Sequence, residues 1–127
     1  MKRILIVEDD LILSLLLEKH LQKMGFEIAA KVNNGEDAVG TIRHEKPDLV
    51  LMDIKLLGEM DGVEATRRVR EFSEVPVLYL TGNSDETTKK RALATNPVAY
   101  MVKPVDMSRL KNTILNVLVQ KRPQMNN

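Results

Sequence analysis

An α/β fold, with a parallel sheet covered by helices on both faces, is the architecture that this sequence predicts. Three observations predict it. Five short runs of Leu, Ile, Val and Met recur along the 127 residues, and most show no wet-dry alternation, as strands buried on both faces require. Between them lie segments of roughly ten to fifteen residues with helical spacing of apolar positions, the pattern of strand–helix units. Gly, Pro and Asn punctuate the joins.

The elements follow in order. Ile4–Val7 is a continuous apolar run that reads as a buried strand, ending in Glu8, Asp9 and Asp10. Leu11 to Met24 is helical, apolar on about one and a half faces, with Asp10 as its cap and Gly25 as its stop. Phe26–Val32 is a weaker strand, followed by Asn33-Asn34-Gly35 as turn and cap. Glu36 to Glu45 is a short helix closed by Lys46-Pro47. Asp48–Asp53 is a second buried run that ends in an acid. Val63 to Phe72 is amphipathic, with Arg67, Arg68 and Arg70 mostly on the wet side. Val75–Thr81 is a fourth strand. Ser84 is the expected cap of a polar helix running to about Ala94, stopped by Asn96-Pro97. Ala99–Val102 is a short fifth strand ended by Lys103-Pro104. Asp106 caps a last helix whose apolar face is Leu110, Ile114, Leu115, Val117 and Leu118.

Composition removes whole classes of function. The length fits one domain, and 19 Lys+Arg against 18 Asp+Glu leave a net charge of +1. No dominant attraction to nucleic acid or to an anionic membrane follows from such totals. The absence of Cys excludes a disulfide frame, a thiol nucleophile and a thiolate metal centre, and it fits a reducing compartment. The apolar run behind Lys2-Arg3 is far too short for an export signal or a membrane span. With only Phe26, Phe72, Tyr79 and Tyr100 as aromatics, the core is expected to be aliphatic, and base stacking has little to work with. A soluble, single-domain, cytoplasmic protein is the expectation, with residues 1–120 forming the domain and 121–127 a polar tail.

In open parallel sheets, ligands bind beyond the carboxyl ends of the strands. There the first strand delivers Glu8, Asp9 and Asp10, the third Asp53, the fourth Thr81 and the fifth Lys103, while the second offers only Asn33 and Asn34. Carboxylates ~4 Å apart repel by about 4 kcal/mol at an effective dielectric of 20, unless a cation sits between them. Mg²⁺ suits one or two carboxylates together with phosphate oxygens. A carboxylate beside it can attack phosphorus, while a lysine and a hydroxyl hold the remaining phosphoryl oxygens. Each residue also has an ordinary reading, as a cap, a loop acid or a turn, and Asp10 fits the cap best. His20 and His44, which lack a partner at useful spacing, read as surface or packing residues.

Taken together, these residues resemble a response-regulator receiver domain, the phosphoacceptor half of two-component signalling. The resemblance runs from Arg3 to about Val119. It rests on Ile4–Asp10, on Asp48–Asp53 followed by Met60-Asp61-Gly62, on Val77–Gly82 and on Tyr100–Pro104. It implies a doubly wound, flavodoxin-like (βα)5 sheet in strand order 2-1-3-4-5. It also implies a phosphoryl group accepted by Asp53 from a phosphohistidine, and Mg²⁺ held by Glu8, Asp9, Asp53 and the backbone carbonyl of Lys55. Thr81 and Lys103 would bind phosphoryl oxygens, and Thr81 and Tyr100 would switch the face made by the fourth helix, fifth strand and fifth helix. Tyr100 reads equally as a half-buried strand aromatic.

The implied partners are a sensor histidine kinase or phosphotransfer protein, and a downstream protein or an output domain that this chain does not contain. A phosphorylation-dependent dimer belongs to the same expectation; direct contact with nucleic acid or membrane does not. The implied module is not a turnover enzyme, since it promotes only its own phosphorylation and hydrolysis.

Leu56-Leu57-Gly58-Glu59 lacks the proline usual after the phosphoacceptor and is one residue longer, and Asn96-Pro97 stands where Gly-Ala is usual. Lys55 places a cation beside the site, where its ammonium is expected to shield an aspartyl phosphate from water. Three other readings compete. A Mg²⁺-dependent aspartyl phosphatase would need two acids spaced two apart after the first strand, and a cap segment. A flavin-binding redox protein would need Ser, Thr or Gly donors where acids stand. A degenerate scaffold would not keep the acids, Thr81 and Lys103 together.

Overall fold

The computed structural model describes residues 1–82 and 85–118. Five strands and five helices alternate: β1 (Arg3–Val7), α1 (Leu11–Lys23), β2 (Glu27–Val32), α2 (Gly35–Glu45), β3 (Leu49–Met52), α3 (Gly62–Val69), β4 (Val77–Thr81), α4 (Glu86–Leu93), β5 (Ala99–Val102) and α5 (Met107–Leu118). The sheet runs β2-β1-β3-β4-β5 and every neighbouring pair is parallel. The expected fold class and strand order are both present. The predicted tail, 121–127, and Ser84 lie outside the described residues.

The pleat sends alternate residues of each strand to opposite faces, and two cores result. Ile4, Ile6, Leu49, Leu51, Leu78 and Leu80 meet Leu17 and Leu21 of α1 and Leu110, Ile114 and Leu118 of α5. Leu5, Val7, Val50, Met52, Val77 and Tyr79 meet α2, α3 and Ala92 of α4. Strands buried on both sides explain why the runs carry no alternation.

The core is not the wholly aliphatic one that the composition predicts. Tyr79 is completely buried at its centre, which is tolerable because its hydroxyl lies 2.8 Å from Thr95 Oγ1. The apolar residues of α1 are only partly buried. Leu17 and Leu21 pack inward, while Leu11 and Ile12 stay about three-quarters exposed and Leu15 and Leu16 nearly half exposed.

Caps fix the helix starts. Asp10, Asn34, Asp61 and Asp85 each accept from an amide in the first turn that follows, and Asp106 does so from Arg109. Asp85 caps α4, its carboxylate taking both the amide and the hydroxyl of Thr88. At the helix ends, Gly25, Lys46 and Asn96 adopt positive φ, so Asn96 does supply the left-handed stop.

Two boundaries moved inward by two residues or more. The segment beyond Val69 tightens into turns through Phe72 and Ser73, both bonded to the Val69 carbonyl. β4 starts at Val77 because Val75 is already engaged, by Arg70 at its carbonyl and Ser73 at its amide, and Pro76 has no N–H. Arg70 is therefore not on the wet side with Arg67 and Arg68. Its guanidinium also donates to the carbonyl of Thr95 at 2.9 Å, tying the turn after α3 to the turn after α4.

Candidate functional site at the carboxyl edge of the sheet

Because β1 and β3 pair in register from Ile4↔Leu49 to Val7↔Met52, the residues that follow them, Glu8 and Asp53, leave the sheet side by side. The Asp53 amide bonds to the Val7 carbonyl at 2.9 Å, and on the far side the Lys103 amide bonds to the Thr81 carbonyl at 2.8 Å. Register alone thus carries two acids, a hydroxyl residue and a lysine to one rim. The strand order reverses between β1 and β3, which opens the crevice there.

Carboxylate oxygens of Glu8, Asp9 and Asp53 all lie within 4.8 Å of one another. Glu8 and Asp53 are almost fully buried and Asp9 partly so. Lys103 Nζ sits 2.9 Å from Glu8 Oε1 and 2.9 Å from Asp53 Oδ2, a charge-assisted bridge between two acids that would otherwise repel. The other Asp53 oxygen accepts the Ile54 amide at 2.7 Å, and the other Glu8 oxygen the Asp10 amide at 3.0 Å.

One lysine does not balance this cluster. Burial, and then the neighbouring Asp53, push the Glu8 carboxyl up to about 7 despite the hydrogen bond from Lys103. Burial alone would lower Lys103, but its bonds to Glu8 and Asp53 carry it above its usual value. A rim short of positive charge and supplied only with hard oxygen donors fits a divalent cation such as Mg²⁺.

Thr81 is buried at the end of β4, while the Lys55 side chain is exposed. Tyr100, half-buried on β5, pairs in register with Tyr79, with ring centroids 6.2 Å apart. Asp10 is a cap and no part of the cluster. His20 and His44 are exposed on helices away from it, and Asn33 and Asn34 turn the chain into α2.

A supporting residue was not legible as such in the sequence. The Gly62 amide donates to the Ile54 carbonyl at 2.7 Å, and a Cβ on Gly62 would stand only 2.0 Å from the Asp53 carbonyl oxygen. α3 therefore starts flush against the backbone of Asp53, and only glycine fits there. Asp61, just before it, both caps α3 and pairs with Arg91 of α4 at 3.1 Å. Asp61-Gly62 ahead of an apolar run was a visible signal for the cap, but nothing local signalled the approach to Asp53.

Among the described residues, no helix is long and apolar enough to cross a membrane. Residues 4–115 match the response regulator receiver domain family. The transcriptional regulatory protein ZraR of Klebsiella oxytoca is 35% identical over 120 residues, which are 94% of this chain but 27% of that protein. Protein PilH of Pseudomonas aeruginosa is 40% identical over 121 residues, covering 93% of this chain and 98% of PilH. The chain therefore spans about a quarter of one relative and nearly all of the other. A chain of the CheX–CheY–BeF3–Mg²⁺ complex from Borrelia burgdorferi superposes with a TM-score of 0.85 at 25% identity, over 94% of this chain and 90% of that one. With the sheet order, the acidic rim and a match across most of its length, this chain belongs to the response regulator receiver domain family of two-component signalling.

Proposed function

We propose that residues 1–120 form a receiver that accepts a phosphoryl group on Asp53 from the phosphohistidine of a sensor kinase or phosphotransfer protein. The observation that carries this reading is the Lys103 ammonium held at 2.9 Å from Asp53 Oδ2 and from Glu8 Oε1. A buried nucleophilic carboxylate, a cation at its attacking edge and two further acids beside it make a site for phosphoryl chemistry.

The Asp53 carboxylate attacks phosphorus as the P–N bond to the donor histidine breaks, and the bonding pair returns to the imidazole. Glu8, Asp9, Asp53 and the Lys55 carbonyl would hold Mg²⁺, which neutralises charge on the phosphoryl oxygens when bound. Lys103, already bonded to Glu8 and Asp53, takes a phosphoryl oxygen as a further anionic partner once Asp53 carries the group, and Thr81 at the adjacent strand end binds another oxygen. The exposed Lys55 ammonium shields the acyl phosphate from water. The BeF3 and Mg²⁺ of the Borrelia complex support the same reading, since trifluoroberyllate bound to a carboxylate oxygen takes the tetrahedral shape of an acyl phosphate.

Output is a change of protein contacts in the cytoplasm rather than turnover of a substrate. Movement of Thr81 toward the phosphoryl group frees space on the α3–α4 side of the sheet. Tyr100 follows it, altering the face of α4, β5 and α5 for a downstream protein, an output domain or a second copy. Labelling with a small acyl-phosphate donor tests the reading. The wild type should label only with Mg²⁺ and Asp53→Asn not at all, whereas labelling that needs neither would overturn it.

A further inference from the structure

On the side of Glu8 away from Lys103, a cavity of about 340 Å³ opens between α1 and the turn from β2 into α2. Its wall includes Ser14, which is only 4% exposed. A helical serine can satisfy its hydroxyl on the carbonyl four residues back. Thr66 does this on the Gly62 carbonyl, but among the described residues nothing hydrogen-bonds the Ser14 hydroxyl. A buried polar group without a partner, facing a cavity, is a vacancy for a ligand atom.

The remaining wall sets the chemistry of that ligand. Asp37 contributes a carboxylate, Asn33 an amide whose oxygen accepts from Asn34, and Glu8 a carboxylate whose two oxygens already accept from Lys103 and the Asp10 amide. One oxygen of Asp37 takes the Asn34 amide group at 2.9 Å, and the other has no partner among the described residues. The lysine in the wall, Lys31, is already committed to Glu18 at 2.7 Å. Acceptors are in surplus, while Leu11 and Val32 give the cavity an apolar side. An occupant with several donors in one plane, a positive charge and an apolar stem fits this wall, and arginine combines all three.

Position identifies who brings it. The cavity shares Glu8 with the acidic rim and borders Leu11, three-quarters exposed at the head of the apolar strip of α1. Through Glu8 the cavity adjoins the rim that a phosphohistidine must approach to reach Asp53. We propose that the cavity receives an arginine side chain of the phosphodonor protein, an anchor that selects the donor beside the reacting carboxylate. The choice of partner rests on the receiver reading, whereas the guanidinium site does not.

The test titrates the ¹⁵N-labelled full chain with N-acetyl-arginine amide, using the neutral isostere N-acetyl-citrulline amide as control. Saturable shifts should appear at Ser14, Asn33 and Asp37 with the arginine probe only. Ser14→Ala and Asp37→Asn should each weaken binding by about tenfold, as loss of a charge-assisted hydrogen bond predicts. Ser14→Ala should keep the wild-type melting temperature or exceed it, since that hydroxyl has no partner to lose. Shifts that are absent, equal with citrulline or scattered over the acidic surface would overturn the site, as would a lower melting temperature for Ser14→Ala. Labelling of the wild type by the acyl-phosphate donor separates the two readings. Arginine binding without Asp53 labelling overturns the partner assignment, and labelling without arginine binding overturns the cavity alone.

Discussion

Glu8 is held between a lysine that favours its charge and a burial that opposes it, and the burial wins. In the unfolded chain this carboxyl ionises near the ordinary glutamate value of 4.5, whereas in the metal-free fold it keeps its proton up to about 7. Between those values the folded state binds more protons than the unfolded one. This contribution to stability is therefore largest below pH 4.5 and is lost as pH rises toward 7. With a chelator present, the urea midpoint of the wild type should fall across that window relative to Glu8→Gln, and saturating Mg²⁺ should abolish the difference. Parallel pH profiles for the two proteins would contradict the assignment. Gly62 works by contact rather than charge. An added methyl would overlap the Asp53 carbonyl, so Gly62→Ala should cost about 1–3 kcal/mol in urea unfolding, the usual penalty of overpacking. It should also slow labelling of Asp53, and unchanged stability would show that the loop has room to give.

At the scale of elements, α4 stands apart. It is eight residues long with Ala92 as its buried residue, against Leu110, Ile114 and Leu118 in α5. Its other ties include the Arg91–Asp61 ion pair, which is partly exposed and so weak, the Lys89 ammonium 5.8 Å from the Tyr100 ring centroid, and the turn after it held by Arg70 and Tyr79. Amide hydrogen exchange should therefore be faster in α4 than in α5 or the central strands; equal protection would show an anchor that these contacts omit. A helix this loosely held is also one that a small shift at Thr81 can move. Elements were legible wherever their own residues set them: apolar runs for β1 and β3, Asp10 and Asn34 for helix starts, Asn96 for a helix stop. They were misread where a distant group competed, as when Arg70 takes the Val75 carbonyl and shortens β4.

For the whole molecule, the sheet order makes the site. Because β1 and β3 are neighbours in register, acids 45 positions apart in the chain become adjacent, and Lys103 reaches both from β5. Glu8, Asp9, Asp53, Thr81 and Lys103 could be singled out in the sequence because each stands at the carboxyl end of a strand or within two residues of it. Lys103 as a bridge between two acids, Gly62 against the Asp53 carbonyl and the unpartnered Ser14 could not, since each depends on a distance between elements. On the receiver reading, the Asp53 carboxylate itself accepts the phosphoryl group. Borohydride reduction after incubation with the acyl-phosphate donor and Mg²⁺, followed by peptide mass spectrometry, tests this most directly. Reduction of an aspartyl phosphate should leave homoserine at position 53, and only when both donor and Mg²⁺ were present. Homoserine at another acid, or none at 53 in protein that carries the label, would contradict it.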